Sequence, residues 1–176
     1  VAWRNGQPPE TLLPLQDAQR AMGLLRQHAD TYGIDANHIG VIGFSAGAHL
    51  AAAISNAEAR TYDRVDEADD LTLRPNFAVL LYTGRLWDRT GSRTNLALAP
   101  WVTISRNAPP TLLIHAMNDP VDDVRHAMAY ALALHEAGVP VDLRVFAGGC
   151  HAFGLRPTDD PITTQWPGMV MQWLRD

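Results

Sequence analysis

Ile39-Gly40-Val41-Ile42-Gly43-Phe44-Ser45-Ala46-Gly47-Ala48-His49-Leu50 begins as a short β-branched apolar run and ends as the start of an alanine-rich helix. At the junction stands Gly43-Phe44-Ser45-Ala46-Gly47, the G-x-S-x-G pattern of a nucleophile elbow. The pattern has a steric cause. A serine held in a strained strand-to-helix turn needs neighbours without bulk, and Gly43 and Gly47 are expected to supply that room. The turn also places Ser45 at a helix N-terminus, where unpaired backbone N–H groups favour a developing oxyanion. The Ala46 N–H is the expected oxyanion donor.

Working outward, the same alternation of apolar run and helical stretch recurs, which is the habit of a parallel α/β sheet flanked by helices. Four runs fit strands covered on both faces: 39–44, 77–82, 111–116 and 141–146. A helix is expected from an N-cap at Asp17, with Ala18, Ala21, Met22, Leu25 and Ala29 on one stripe, to a stop at Gly33. A second spans 45–57. A third spans about 123–137, with Val124, Ala127, Met128, Ala131, Leu134 and His135 on one stripe, and Pro161 opens the last. The stretch 84–110 is long and irregular, which suits a substrate-facing cover.

A serine hydroxyl needs a base to become a nucleophile, and the base needs an acid to orient it. Asp119, in Met117-Asn118-Asp119-Pro120-Val121, follows the third strand. His151, in Gly148-Gly149-Cys150-His151-Ala152-Phe153-Gly154, follows the fourth. Both loops lie where open α/β sheets gather their active sites. Asp119 before proline is also an ordinary turn starter, and Asp122 and Asp123 compete with it as the acid. His49 and His115 read as packed structural histidines, and Cys150 as a small buried thiol. Trp87, Trp101 and Trp166 are core aromatics or pocket walls. The acidic cluster 63–70 lacks the alternating spacing of a calcium loop and reads as solvated surface.

The chain has 176 residues, 47% hydrophobic and 19% charged, enough to bury one core, so a single domain over 1–176 is expected. Fourteen Lys and Arg against nineteen Asp and Glu give a net charge of −5, which argues against nucleic acid as a partner. No apolar run is long enough to cross a bilayer, and the first twenty residues lack the order of a signal peptide. One cysteine makes neither a disulfide nor a four-ligand zinc site, so no covalent or metal staple is expected to hold the fold. Val1-Ala2-Trp3-Arg4 reads like a strand entered midway.

Gly43-Phe44-Ser45-Ala46-Gly47-Ala48-His49-Leu50, with Asp17-Ala18-Gln19-Arg20-Ala21 upstream and His151-Ala152-Phe153-Gly154 downstream, resembles the α/β-hydrolase superfamily, nearest its small bacterial acetyl-xylan-esterase-like carboxylesterases. The resemblance implies hydrolysis of carboxylic esters, commonly short acyl groups on sugars, without a cofactor. Ser45, Asp119 and His151 fall on the nucleophile, acid and base. Members of the group also carry further strands upstream and an H-G-G-G-like oxyanion loop, which residues 1–176 lack. The fold expected is therefore a truncated α/β hydrolase with a gap beside the 39–44 strand. A shifted Val1–Arg4 strand, a second copy of the chain or an upstream segment is expected to cover that edge. Two other readings share these residues: a catalytically impaired binding or assembly domain, and an acyl peptidase.

Overall fold

Apolar runs bounded by glycine or proline form a four-stranded sheet in the computed structural model, which describes residues 12–156 and 160–175. Strands β1 (Val41–Phe44), β2 (Ala78–Leu81), β3 (Thr111–Ala116) and β4 (Val141–Phe146) are all parallel and lie side by side in chain order. The helices are α1 (Leu12–Gln27), α2 (Ala29–Tyr32), α3 (Ala46–Asn56), α4 (Arg125–Glu136) and α5 (Pro161–Trp173), with a 3-10 turn at Glu67–Asp70. None of these helices is long and apolar enough to cross a membrane.

Side-chain alternation along the strands sorts the core into two layers. Leu80 and Leu113 face α3 and α4, where Ala48, Ala51, Ala52, Ala127, Tyr130 and Leu134 are buried. Val79, Leu81, Leu112 and Ile114 point the other way, onto Ile162, Trp166 and Val170 of α5. Met22 of α1 packs with Ile39 and Ile54. The small side chains of α3 bring that helix close to the sheet, which sets Ser45 hard against the end of β1.

Several expectations change. The described part of the first helix already begins at Leu12, so Asp17 lies inside α1 rather than capping it; Leu12 and Leu13 are good helix formers and a proline such as Pro14 is tolerated in a first turn. The chain breaks again at His28, and Gly33 closes α2 in the left-handed conformation at φ 65°. Ala21 and Leu25 face outward, while Gln19 and Arg26 are buried. Those polar groups are satisfied: the Gln19 amide donates to the Ala59 carbonyl and accepts from the Thr61 N–H, and Arg26 donates to the carbonyls of Thr72, Ala36 and Arg74. On α4 His135 is exposed, and His126 and Tyr130 take its place inside.

The acidic cluster is not simply solvated. The Asp69 side chain is fully enclosed and accepts hydrogen bonds from Arg20 and Tyr62, with Arg60 3.5 Å away, and Asp66 pairs with Arg20. The 58–71 segment is thereby tied to α1. Strand β4 is half-exposed rather than covered on both faces, in keeping with its place at one edge of the sheet. Among the described residues β1 forms the other edge, with Ile42 and Phe44 exposed. The Val1–Arg4 strand expected beside it lies outside the described residues.

Candidate active site

Each residue singled out for chemistry stands just past the C-terminal end of a strand: Ser45 after β1, Asp119 after β3 and His151 after β4. Ser45 adopts φ 52°, ψ −117°, a strained conformation for a residue with a side chain, and heads α3. A Cβ on Gly43 would lie 2.3 Å from the Gly47 carbonyl oxygen, so glycine is required there. Among the described residues a Cβ on Gly47 meets nothing within 4 Å, and the steric demand expected of both glycines falls on Gly43 alone. Ala46 is the first residue of α3, so its N–H has no carbonyl partner within the helix.

The structure brings the three side chains into one line. Ser45 Oγ is 3.0 Å from His151 Nε2, and His151 Nδ1 is 2.8 Å from Asp119 Oδ2. The Asp119 carboxylate is fully enclosed, and its Oδ1 accepts the backbone N–H groups of Val121 and Asp122, both at 2.9 Å. Two aimed N–H donors on one oxygen leave the other free to face the imidazole. With Nδ1–H donating to Asp119, Nε2 is left to accept the Ser45 proton. The set can move a proton from the hydroxyl to the imidazole and hold the resulting cation beside a carboxylate.

The two competing carboxylates separate cleanly. Asp123, ahead of α4, accepts from the Arg125 N–H and pairs with its guanidinium at 2.6 Å. Asp122 faces the site from the other side of the imidazole, 4.0 Å from His151 Nε2. Burial raises its carboxyl above the ordinary range, against the pull of His151.

Sequence reasoning missed the frame around the base. Tyr82, at φ 39° just past β2, presents its ring to the His151 imidazole at 5.1 Å and to Phe153 at 4.6 Å. Asn118 joins the acid loop to the base loop, accepting the Cys150 N–H at 2.9 Å. Buried His115, read as a core histidine, donates from Nε2 to the Asp122 carbonyl at 2.9 Å and lies 3.3 Å from Asp119 Oδ2. No signal in a single sequence marks Tyr82 or Asn118. His115 stood out only as an ionisable side chain between Ile114 and Ala116 in an otherwise uncharged strand.

Cys150 is exposed, not buried as expected, and adopts a positive φ of 54°. Trp87 and Trp166 are core, whereas Trp101 is exposed and, with His49, Leu86 and Ala52, lines a cavity of about 350 Å³ beside α3. His49 is buried, and burial together with the Arg85 charge lowers its pKa to about 4, so it is neutral near pH 7.

Comparison with known proteins adds three findings. A family model for BD-FAE matches residues 7–79. The endo-1,4-beta-xylanase B of Butyrivibrio fibrisolvens is 30% identical over 169 residues, covering 88% of this chain and 26% of that protein, and the acetylxylan esterase of Xylanibacter ruminicola is 27% identical over 161 residues, covering 81% and 31%. This chain thus spans between a quarter and a third of those relatives' length. Among solved structures, the acetyl ester-xyloside bifunctional hydrolase of Caldicellulosiruptor lactoaceticus superposes with a TM-score of 0.77 at 31% identity, covering 92% of this chain and 65% of that one.

Proposed function

We propose, from its likeness to esterase-like α/β hydrolases, that the chain cleaves carboxylic esters of short acyl groups, acetyl foremost, carried on carbohydrate. In this reading His151 removes the Ser45 proton as Oγ attacks the ester carbonyl, Asp119 holds the imidazole in the tautomer that accepts it, and the Ala46 N–H stabilises the tetrahedral oxyanion. His151 then returns the proton to the leaving alcohol. Water, activated by the same imidazole, attacks the acyl-enzyme and releases the acid and Ser45.

One observation carries the reading: the unbroken run of 3.0 Å and 2.8 Å contacts from Ser45 through His151 to Asp119. The acyl and carbohydrate parts rest on the names of relatives, an acetylxylan esterase and an acetyl ester-xyloside hydrolase. Hydrolysis of p-nitrophenyl acetate tests the chemistry. Wild type is expected to turn it over and to be labelled by a fluorophosphonate, and Ser45→Ala to do neither. Turnover that survives Ser45→Ala removes Ser45 from the mechanism, and a wild type inert to both reagents favours the impaired binding domain.

A further inference from the structure

We propose that Asp122 reads the alcohol half of the ester: its carboxylate accepts a hydrogen bond from a hydroxyl vicinal to the scissile ester oxygen, so that polyol leaving groups are preferred over simple alcohols. The proposal rests on the esterase reading above and assigns a specificity residue within that site.

Its basis is position. In acyl transfer the proton returns from His151 Nε2 to the leaving oxygen, so that oxygen must come within hydrogen-bond reach of Nε2. A carboxylate 4.0 Å from Nε2 therefore borders the place the leaving alcohol occupies. On a sugar or other vicinal diol the next carbon bears a hydroxyl, and in the gauche arrangement that hydroxyl lies beside the ester oxygen. A phenol or a plain alkyl alcohol offers no such donor.

The state of the carboxylate fits this task. Asp119 and Asp123 each accept backbone N–H groups, but among the described residues no donor is hydrogen-bonded to either Asp122 oxygen. The side chain is 17% exposed, half-enclosed by the protein and open enough for a ligand to supply a donor. Gly84 shapes the recess: a Cβ there would lie 2.3 Å from Asp122 Oδ1. The carboxyl thus fills space that any other residue at position 84 would take from it. The Asp122 backbone is fixed independently, its N–H by Asp119 and its carbonyl by His115.

A matched pair of esters isolates the effect. 2-Hydroxyethyl acetate and n-propyl acetate differ by a hydroxyl in place of a methyl, and kcat/KM for each is read in a pH-stat on the whole chain. Wild type is expected to prefer the hydroxyethyl ester. Asp122→Leu is expected to lower the hydroxyethyl-to-propyl ratio about tenfold, the value of one hydrogen bond to a charged acceptor. Asp122→Asn, which keeps the size and one accepting oxygen but not the charge, gives an intermediate ratio. A ratio that stays within about twofold of wild type in both variants, or an equal loss on both esters, overturns the proposal while leaving the hydrolase intact. A wild type no faster than Ser45→Ala on either ester overturns both readings together.

Discussion

Asp119, the acid of the proposed mechanism, has little freedom. One oxygen is occupied by two backbone N–H groups, and the other meets His151 Nδ1 at 2.8 Å. Replacing that oxygen by an amide nitrogen puts a donor against a donor and favours the tautomer in which Nε2 carries the proton, which cannot accept from Ser45. Asp119→Asn is therefore expected to lower kcat for p-nitrophenyl acetate by about 10³- to 10⁴-fold with little change in melting temperature, as rates and thermal denaturation will show. The three residues proposed to carry the chemistry could be singled out in the sequence, because an elbow serine is expected to be followed by an acid and an imidazole after later strands. Which of three carboxylates in one turn is which was not legible there. Asp119, Asp122 and Asp123 stand within five residues, and their directions are set by the Asp119 turn, the recess at Gly84 and the Arg125 guanidinium.

Among elements, the junction of β1 with α3 is the most tightly constrained. Gly43→Ala drives a methyl into the Gly47 backbone, and neither the strand nor the helix has a flexible side chain there to yield. The expected loss is about 2 kcal/mol, or roughly 5 °C in Tm, accompanied by a displaced Ser45 and reduced turnover. Gly47→Ala, with open space and a helical position, is expected to leave Tm unchanged or slightly raised in the same calorimetric experiment. The strands and the Ala-rich helix were readable because their apolar periods are regular. The facing of α1 was not: Gln19 and Arg26 are buried through bonds to carbonyls from residues 36 to 74, and those partners are invisible to a periodicity. The same holds for the 58–71 segment, where enclosure of Asp69 by Arg20 and Tyr62 turns an acidic surface into a clamp. Asp69→Ala should lower Tm and speed proteolysis of that segment.

For the whole molecule, buried histidines contribute to the response to acid, His126 and His49 among them. His126 Nδ1 accepts the backbone N–H groups of Leu86 and Trp87, pinning the start of the 84–110 segment to α4. Burial, aided by the Arg89 charge, lowers its pKa from 6.5 to about 4, and His49 is lowered to a similar value. As pH falls, protons bind the unfolded chain before the folded one. The contribution of keeping His126 neutral is therefore complete above about 6.5 and is lost between about 6.5 and 4, a fall of roughly 3 kcal/mol. His126→Asn keeps an accepting oxygen near the Nδ1 position and removes the titration, so its urea midpoint should decline less between pH 7 and pH 4 than that of wild type. Cys150 offers a different kind of access. It is the chain's one cysteine, it is exposed, and its backbone is tied to Asn118 one residue before the base. A maleimide dye would consequently attach at a single place, one residue from His151, without any mutagenesis, turning the wild-type chain into its own optical reporter of ligands that reach the imidazole.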